Sequence, residues 1–551
     1  MSSNIKLVLL ALTVSLSVHS QEVPYHISNV EVYEFIDELA SVKAIEVNNA
    51  VRPLSRKYIS SLLQQAVVND SLLNKRQKKE LAFYRQEFVK ETDEYQGLDF
   101  LGKGLKSGKV FPLRNRKKRI DLFNYKDSVF GITVNPIVGG TGYISGNKYY
   151  YRRQVGARIF GNVTKHVAFY GELRDYSETM PFSNEQFLNQ ELGANYKKNN
   201  EFSEARGGLI GSFKWASIGL VKDHIAWGTA YNGSNIFSGR TPSVPMIKLN
   251  LSPNKWFSFD YIHAWLVSDV LDSAASYTTG TVDREVMRSK FLAANMYTVR
   301  PVKGLHFSLG NSVVYADKFN PVYLIPFLFY KSADHTFNST GAGNNFRGQN
   351  SQMFLNVVSR QIKYLELYTS LFIDELRLST IADKKNSRNH FSWKIGTRFT
   401  APGNVNLSLI VEYTRTNPIA FRHFVSTTTF ESNGYGLGHY LGDNAEEVHV
   451  TLLYKPISRL AIRIGLNVVR KGESYPYNSG SDGSGLPFIV DEQVRRYDGT
   501  LAVSYSVAHD LKVAVKYQYL NEFGPEAYAY LPQVYGRNGP HHLSLSVSIG
   551  Y

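Results

Sequence analysis

The 551 residues include no cysteine. Disulfides, thiolate metal sites, c-type haem and lipid attachment at a lipobox cysteine are therefore excluded. Beyond residue 20 there is no run approaching the ~20 apolar residues that a membrane-crossing helix needs. The best stretch, residues 322–330, is about half that length and is interrupted by Pro326. No glycine-rich phosphate loop follows a strand and opens a helix. The scattered histidines, His541-His542 included, have no metal-ligand spacing. Asp223-His224 and Asp334-His335 are adjacent pairs, and neighbouring residues of a strand point to opposite faces, so neither makes a direct dyad. The expectation is no catalytic residue, no metal and no cofactor.

What is present is aromatic and alternating. The chain carries 36 Tyr and 32 Phe with a negative mean hydropathy. Its last eleven residues read His-His-Leu-Ser-Leu-Ser-Val-Ser-Ile-Gly-Tyr. Leu543, Leu545, Val547, Ile549 and Tyr551 share one side of an extended chain, and serines and Gly550 the other. A strand with a full apolar face, a polar face and a terminal aromatic is the closing strand of a membrane barrel, with lipid outside and a polar lumen inside. The fold class that follows is an all-β transmembrane barrel preceded by a small α-helical periplasmic domain.

Residues 1–20 read as a secretory signal, with Lys6, the mostly apolar run Leu7 to Val18 and a small-residue cleavage site before Gln21. Residues 21–96 read as three helices. Ser28-Asn29-Val30-Glu31 has the capping-box pattern before Val32, Phe35, Ile36, Leu39 and Ala40. Arg52-Pro53-Leu54-Ser55 leads into a second helix with Ile59, Leu62, Leu63 and Ala66 on one face, and Asn74 to Gln77 caps a third with Leu81, Tyr84 and Phe88 inward. Residues 97–127 form a basic linker containing Arg114-Asn115-Arg116-Lys117-Lys118-Arg119, whose plainest reading is a solvated segment.

From residue 128 to 551 the pattern is strands. Eight short turns recur about every fifty residues, near 163–166, 214–217, 253–255, 300–304, 361–364, 401–404, 455–459 and 508–511. Longer connections fall between them, near 139–149, 177–203, 229–244, 269–286, 317–350, 378–389, 416–445, 471–495 and 524–540. Eight and nine connections join eighteen antiparallel strands, placing both termini in the periplasm and the long loops outside an outer membrane. Facing can be read strand by strand. Glu172, Arg174, Asp374, Lys394, Arg398, Glu412, Arg463, Lys512 and Lys516 point inward, whereas residues 256–267 are ambiguous. An interior carrying both signs implies ion-paired networks rather than a charged channel ring. The formal charge is +15, or +14 once Lys6 leaves with the signal. Such an excess favours anionic partners, namely acidic polysaccharide, lipopolysaccharide and phospholipid head groups, and not nucleic acid for an exported barrel.

Several short stretches carry a family resemblance. They are residues 33–40 and 52–59 of the helical unit, Gly219-Leu220-Val221-Lys222-Asp223-His224, Trp227-Gly228, Ile236-Phe237-Ser238, Asn320-Pro321-Val322-Tyr323, Asp334-His335, Asn344-Asn345 and Ile373-Asp374-Glu375. Together they resemble the Wzi family of outer-membrane capsule-assembly proteins, in the form common in Bacteroidota-like bacteria. Val221-Lys222-Asp223 stands where the enterobacterial branch has Gly-Arg-Asp. The resemblance implies a lectin-like surface barrel, plugged rather than open, that holds exported polysaccharide. Some relatives in gliding bacteria are associated with motility or adhesion, which would make residues 21–96 a docking unit for a periplasmic export or motility partner. A porin or solute-uptake channel is the competing reading.

Sugar binding needs aromatic faces for the CH side of the ring, with amides and guanidinium groups for hydroxyls and carboxylates. The long loops supply Trp227, Tyr231, Asn235, Arg240, Asn344, Asn345, Arg347, Tyr435 and Tyr475 as candidates.

Overall fold

A computed structural model describes residues 22–91, 98–99, 120–127, 129–339, 348–376, 379, 389–477, 485–536 and 539–550. The predicted signal, most of the basic linker with its Arg114–Arg119 cluster, and Asn344, Asn345 and Arg347 lie outside them.

Eighteen long antiparallel strands close into one barrel. In chain order they are β1 (Gly131–Ser145), β2 (Lys148–Asn162), β3 (Val167–Glu178), β4 (Glu201–Ser212), β5 (Ala216–Asp223) and β6 (Val244–Asn254). There follow β7 (Phe257–Leu266), β8 (Lys290–Val302), β9 (Leu305–Ala316), β10 (Asn350–Ser359), β11 (Leu365–Glu375) and β12 (His390–Thr400). The last six are β13 (Leu407–Thr416), β14 (Ala445–Tyr454), β15 (Leu460–Gly472), β16 (Glu492–Ser506), β17 (Leu511–Phe523) and β18 (His541–Ile549). Closure is made by β18, which pairs with β17 on one edge and with β1 on the other, His542 opposite Ser145 and Ile549 opposite Val138. Its Leu543, Leu545, Val547 and Ile549 are exposed on the outside. Among the described residues the eighteen-strand sheet has no open edge, as a lipid environment demands.

One connection differs from the sequence expectation. The glycine-rich stretch at 139–149 is not a long loop. It is the end of β1, the two-residue turn Gly146-Asn147 and the start of β2. Gly146 has φ +55°, which suits a tight hairpin turn. The glycines serve close packing within the strand: a Cβ on Gly139 would come within 3.1 Å of the Ser548 Cβ of β18. The other eight long connections all stand at one rim, and the eight short turns stand at the rim where β1 begins and β18 ends.

The helical unit fills the short-turn mouth. Its helices are α1 (Val30–Ser41), α2 (Arg56–Val68) and α3 (Lys75–Phe88). Ser55 caps α2 by accepting from the Tyr58 N–H, and Asn74 with Gln77 forms a full capping box on α3. The capping box expected at α1 does not form: Asn29 makes no side-chain cap, and Ser28 hydrogen-bonds His26 instead. Ile59, Leu62, Leu63, Leu81, Tyr84 and Phe88 pack with Phe35, Ile36 and Leu39 as one core. The opposite face of α1 is not solvated, because eleven of its twelve residues are buried. Its acids meet the barrel's cations instead. Glu34 binds Arg463 at 2.6 Å, Glu31 binds Lys512, and Glu38 joins Arg76 and Lys455.

The Glu31 pair makes docking acid-sensitive. Burial pushes the Glu31 carboxyl up, but Lys512, Arg463 and hydrogen bonds outweigh it and hold the group at about 2. A folded-state value below the ordinary 4.5 gives stability that is complete above pH 4.5 and lost as pH falls toward 2. Cleavage of residues 22–91 by an acid-active protease should rise across that window while the barrel stays intact. A cleavage rate that does not change between pH 4.5 and 2.5 would exclude this coupling.

Candidate functional site

The lumen is occupied. After β5 the chain turns inward, and Ala226–Trp227 pairs both with Val51–Arg52 of the helical unit and with Phe237–Ser238. A three-stranded sheet inside the barrel thereby joins a long-rim loop to the short-turn mouth. The wall in this half is apolar. Met246, Ile262, Leu292, Met296, Phe354 and Phe372 pack against Trp227, Ile236 and Phe237 of the inserted loop and Phe421, Phe430 and Leu437 of the 417–444 loop. The inner face of this half of the barrel is therefore a protein core, not the polar channel wall that barrel patterning predicts.

The remaining half is polar and ion-paired. Glu412 of β13 is fully buried and accepts four hydrogen bonds: from the Tyr231 N–H (2.8 Å), the Asn232 N–H (2.9 Å), the Tyr368 hydroxyl (2.6 Å) and Lys394 Nζ (3.1 Å). Glu366 pairs with Arg360 at 2.6 Å. Arg398 reaches the Tyr231 hydroxyl at 3.4 Å and the Glu34 carbonyl at 3.2 Å, which connects wall, plug and helical unit. On β3 the Glu172 carboxylate meets Arg158, Arg174 and Arg206 at 2.6–2.7 Å, and Arg206 continues to Asp223 at 3.0 Å. Lys516 faces inward opposite Ser544, and Lys331 Nζ donates to the Asp374 carbonyl at 3.1 Å.

The structure moves most of the proposed sugar contacts into this interior. Trp227 is 2% exposed, edge-on to Phe237 and Phe354, so neither ring face is open to a sugar. Tyr231 stands against Arg398 and Tyr368. Asn235 donates to the Ser392 carbonyl (2.9 Å) and accepts from Ser370 (2.6 Å). Arg240 donates to the carbonyls of Asn184 and Phe187 and lies over the Tyr435 ring. Tyr435 exchanges hydrogen bonds with both backbone groups of Ala194 at 3.1 Å. Arg240 and Tyr435 thus bind the 179–200, 224–243 and 417–444 loops into one lid.

Tyr475 differs, since it stays at the long-loop rim. Its hydroxyl donates to the Pro487 carbonyl at 3.2 Å, and its carbonyl accepts from Arg422 at 3.0 Å. Beside it, His423, Phe424 and Tyr477 form a ring cluster with centroids 4.2–6.4 Å apart, and Phe424 is 52% exposed.

Sequence reading missed the acids of α1 and the arginine hub Arg206. The spacing Glu31, Glu34, Glu38 was a usable signal: acids three and four apart share one helix face. It also missed that His26, Asp223 and His224 converge, with ligand atoms within 4.8 Å of one another. His26 Nε2 lies 3.1 Å from His224 Nδ1, but Arg206 already sits on the Asp223 oxygen at 3.0 Å. A guanidinium supplies there the positive charge that a metal would bring, so the cluster reads as a hydrogen-bonded seam between the N-terminus and the wall. A cavity of about 530 Å³ opens between the helical unit and the inner wall at the short-turn side, lined by Glu22, Asn48, Arg52, Lys248, Asp260 and Arg300. The apolar wall residue Val221 and the plug residue Trp227 also line it.

No family model matches the sequence, and no curated protein is similar to it. Among solved structures the chain is similar to Wzi of Escherichia coli, described as an outer-membrane protein involved in group 1 capsule assembly and a carbohydrate-binding β-barrel. The TM-score is 0.56 at 10% identity, over 97% of this chain and 100% of that one. OccD3 of Pseudomonas aeruginosa aligns with a TM-score of 0.41 at 10% identity, over 76% of this chain and 90% of its own. OccAB2 of Acinetobacter baumannii gives 0.43 at 7%, over 77% and 99%. The protein therefore has the fold of a Wzi-type outer-membrane barrel, helical unit included.

Proposed function

We propose that the protein is a non-enzymatic surface barrel that attaches or organises exported capsular or exopolysaccharide. Its long loops stand outside the cell and both termini in the periplasm. The observation that carries this reading is the filled lumen. A barrel whose interior is packed with its own loops and helices works through its rims, which weighs against the porin alternative. The fold shared end to end with a carbohydrate-binding barrel supports it, as does the net positive charge. The helical unit braces the inner mouth, and its surface is the docking face for a periplasmic partner.

The rim cluster of Arg422, Phe424, Tyr475 and Tyr477 is the sugar platform in this reading, combining the exposed Phe424 ring and the half-buried Tyr475 and Tyr477 rings with a guanidinium for uronic carboxylates. Replacing Phe424 and Tyr475 together by alanine should weaken binding of an acidic polysaccharide by about tenfold, the equivalent of ~1.4 kcal/mol, without changing folding. Titration calorimetry of the refolded protein against an alginate-type polymer and a neutral dextran reads the effect. Equal affinity of wild type and variant would move the platform elsewhere. A gene deletion that leaves surface polysaccharide fully retained would sink the functional reading itself.

A further inference from the structure

The most apolar run beyond residue 20, residues 322–330, sits in a long-rim loop, where polar residues are expected. Its position explains it. Residues 319–333 do not project from the rim but descend over the outside of β7, β8 and β9. Phe327 stacks on Phe259 of β7 with centroids 4.5 Å apart. Phe259 is paired with Tyr297, and Tyr297 with Leu309 of β9. Leu309 lies seven residues from the long-rim end of β9, roughly 24 Å along the strand. Allowing for strand tilt, that is more than half the ~30 Å hydrocarbon core.

Irregular backbone at that depth is tolerated only when its polar groups are satisfied by protein. Here outward-pointing side chains of the wall meet four of its carbonyls and one N–H. Tyr261 donates to the Tyr323 carbonyl (2.8 Å), Asn295 to those of Pro326 (2.8 Å) and Leu328 (2.9 Å), and Tyr297 to that of Phe327 (3.1 Å). Asn311 accepts from the Tyr330 N–H at 2.7 Å and donates to Asn295 at 2.7 Å. The N–H groups of Ile325 and Leu328 bond within the segment at 3.1 and 3.3 Å, and Pro321 and Pro326 have none to satisfy. Tyr323 and Tyr330 turn inward and are fully buried. Leu324, Ile325, Phe327 and Phe329 turn outward and are exposed, Phe327 by 55%. They continue the exposed apolar surface of Phe307 and Leu309.

We propose that residues 319–333 form a membrane-embedded strap. It is latched to the barrel wall by Asn295 and Asn311 and presents Leu324, Ile325, Phe327 and Phe329 to the acyl chains of the bilayer. The strap is a lipid-contact surface outside the barrel, independent of any polysaccharide role. It also accounts for the polar outward residues of β8 and β9, which no lipid-facing strand would carry bare.

The absence of cysteine permits a clean test by single-site nitroxide labelling in proteoliposomes. Labels replace Phe327 (F327C), the belt residue Leu309 (L309C) and the exposed hairpin residue Thr281 (T281C). The ratio of oxygen to nickel-chelate accessibility at 327 should match that at 309 and exceed that at 281 several-fold. A ratio at 327 equal to that at 281 would overturn the strap and point to a water-facing surface, even with the barrel correctly inserted as position 309 reports. In an Asn295→Leu/Asn311→Leu background, whose new side chains suit lipid, the label at 327 should become mobile in its line shape. An unchanged line shape would overturn the latch.

Discussion

Reconstituted in a planar bilayer, the protein should pass no steady ion current. An empty barrel of eighteen strands encloses an aqueous channel, but this one is obstructed at two levels. At the short-turn mouth the helical unit is tied to the wall by Arg463–Glu34, Lys455–Glu80 at 3.0 Å and the Asn74 side chain on the Gly403 carbonyl. Deeper in, the 224–243 loop is built into the apolar core and held by Glu412. Removing residues 22–91 alone should leave the current closed, because the inserted loop remains. Replacing residues 225–240 by a short Gly-Ser linker alone should do little, because the helical unit remains. Removing both should give measurable steps, narrowed by the 417–444 loop that still packs against the inner wall, with heat-modifiable gel migration confirming a folded barrel. Steady large currents from the intact protein would favour the solute-channel reading over the surface-binding one.

Glu412→Leu should destabilise the protein by about 3–5 kcal/mol, the range for breaking a buried ion pair from one side. The substitution leaves Lys394, a fully buried cation, without its partner. It also strips the acceptor from two backbone N–H groups of the plug and from Tyr368. Leucine fills the volume but accepts nothing, so the cost is electrostatic rather than a cavity. The double variant Glu412→Leu/Lys394→Met should recover most of the loss, because the unpaired charge goes with its partner. Urea unfolding in detergent, run as a double-mutant cycle, reads both terms. A single-variant cost below ~1 kcal/mol would mean that the plug is held elsewhere.

The division between what sequence and structure each decided follows from range. Lipid on one face and protein or water on the other impose a period of two on every strand, and that constraint is local. It was legible in Leu543 to Ile549 and in the alternation of short and long connections, so strand number, closure and the inward direction of Glu172, Lys394, Arg398, Glu412, Arg463 and Lys512 could all be read. The single misread connection, 139–149, failed because glycine marks both a turn and a close strand contact, and its local signal does not separate the two. Helix faces were legible for the same local reason.

Where a loop goes is not local. Trp227, Asn235, Arg240 and Tyr435 have the residue types of a sugar site, and their sequence neighbourhood is polar enough for one. Only the tertiary structure shows that their two loops turn into the barrel, where burial converts ring faces and guanidinium groups into packing and latches. The ambiguity of residues 256–267 has the same origin. Phe259, Tyr261 and His263 face outward yet are covered by the strap, so both faces of that strand are buried in protein and the alternation that lipid would impose is lost. By itself the sequence determined an eighteen-strand barrel with a helical unit. What fills it, what seals its rim and what lies against its outer wall were decided by contacts between segments up to several hundred residues apart, which no local pattern records.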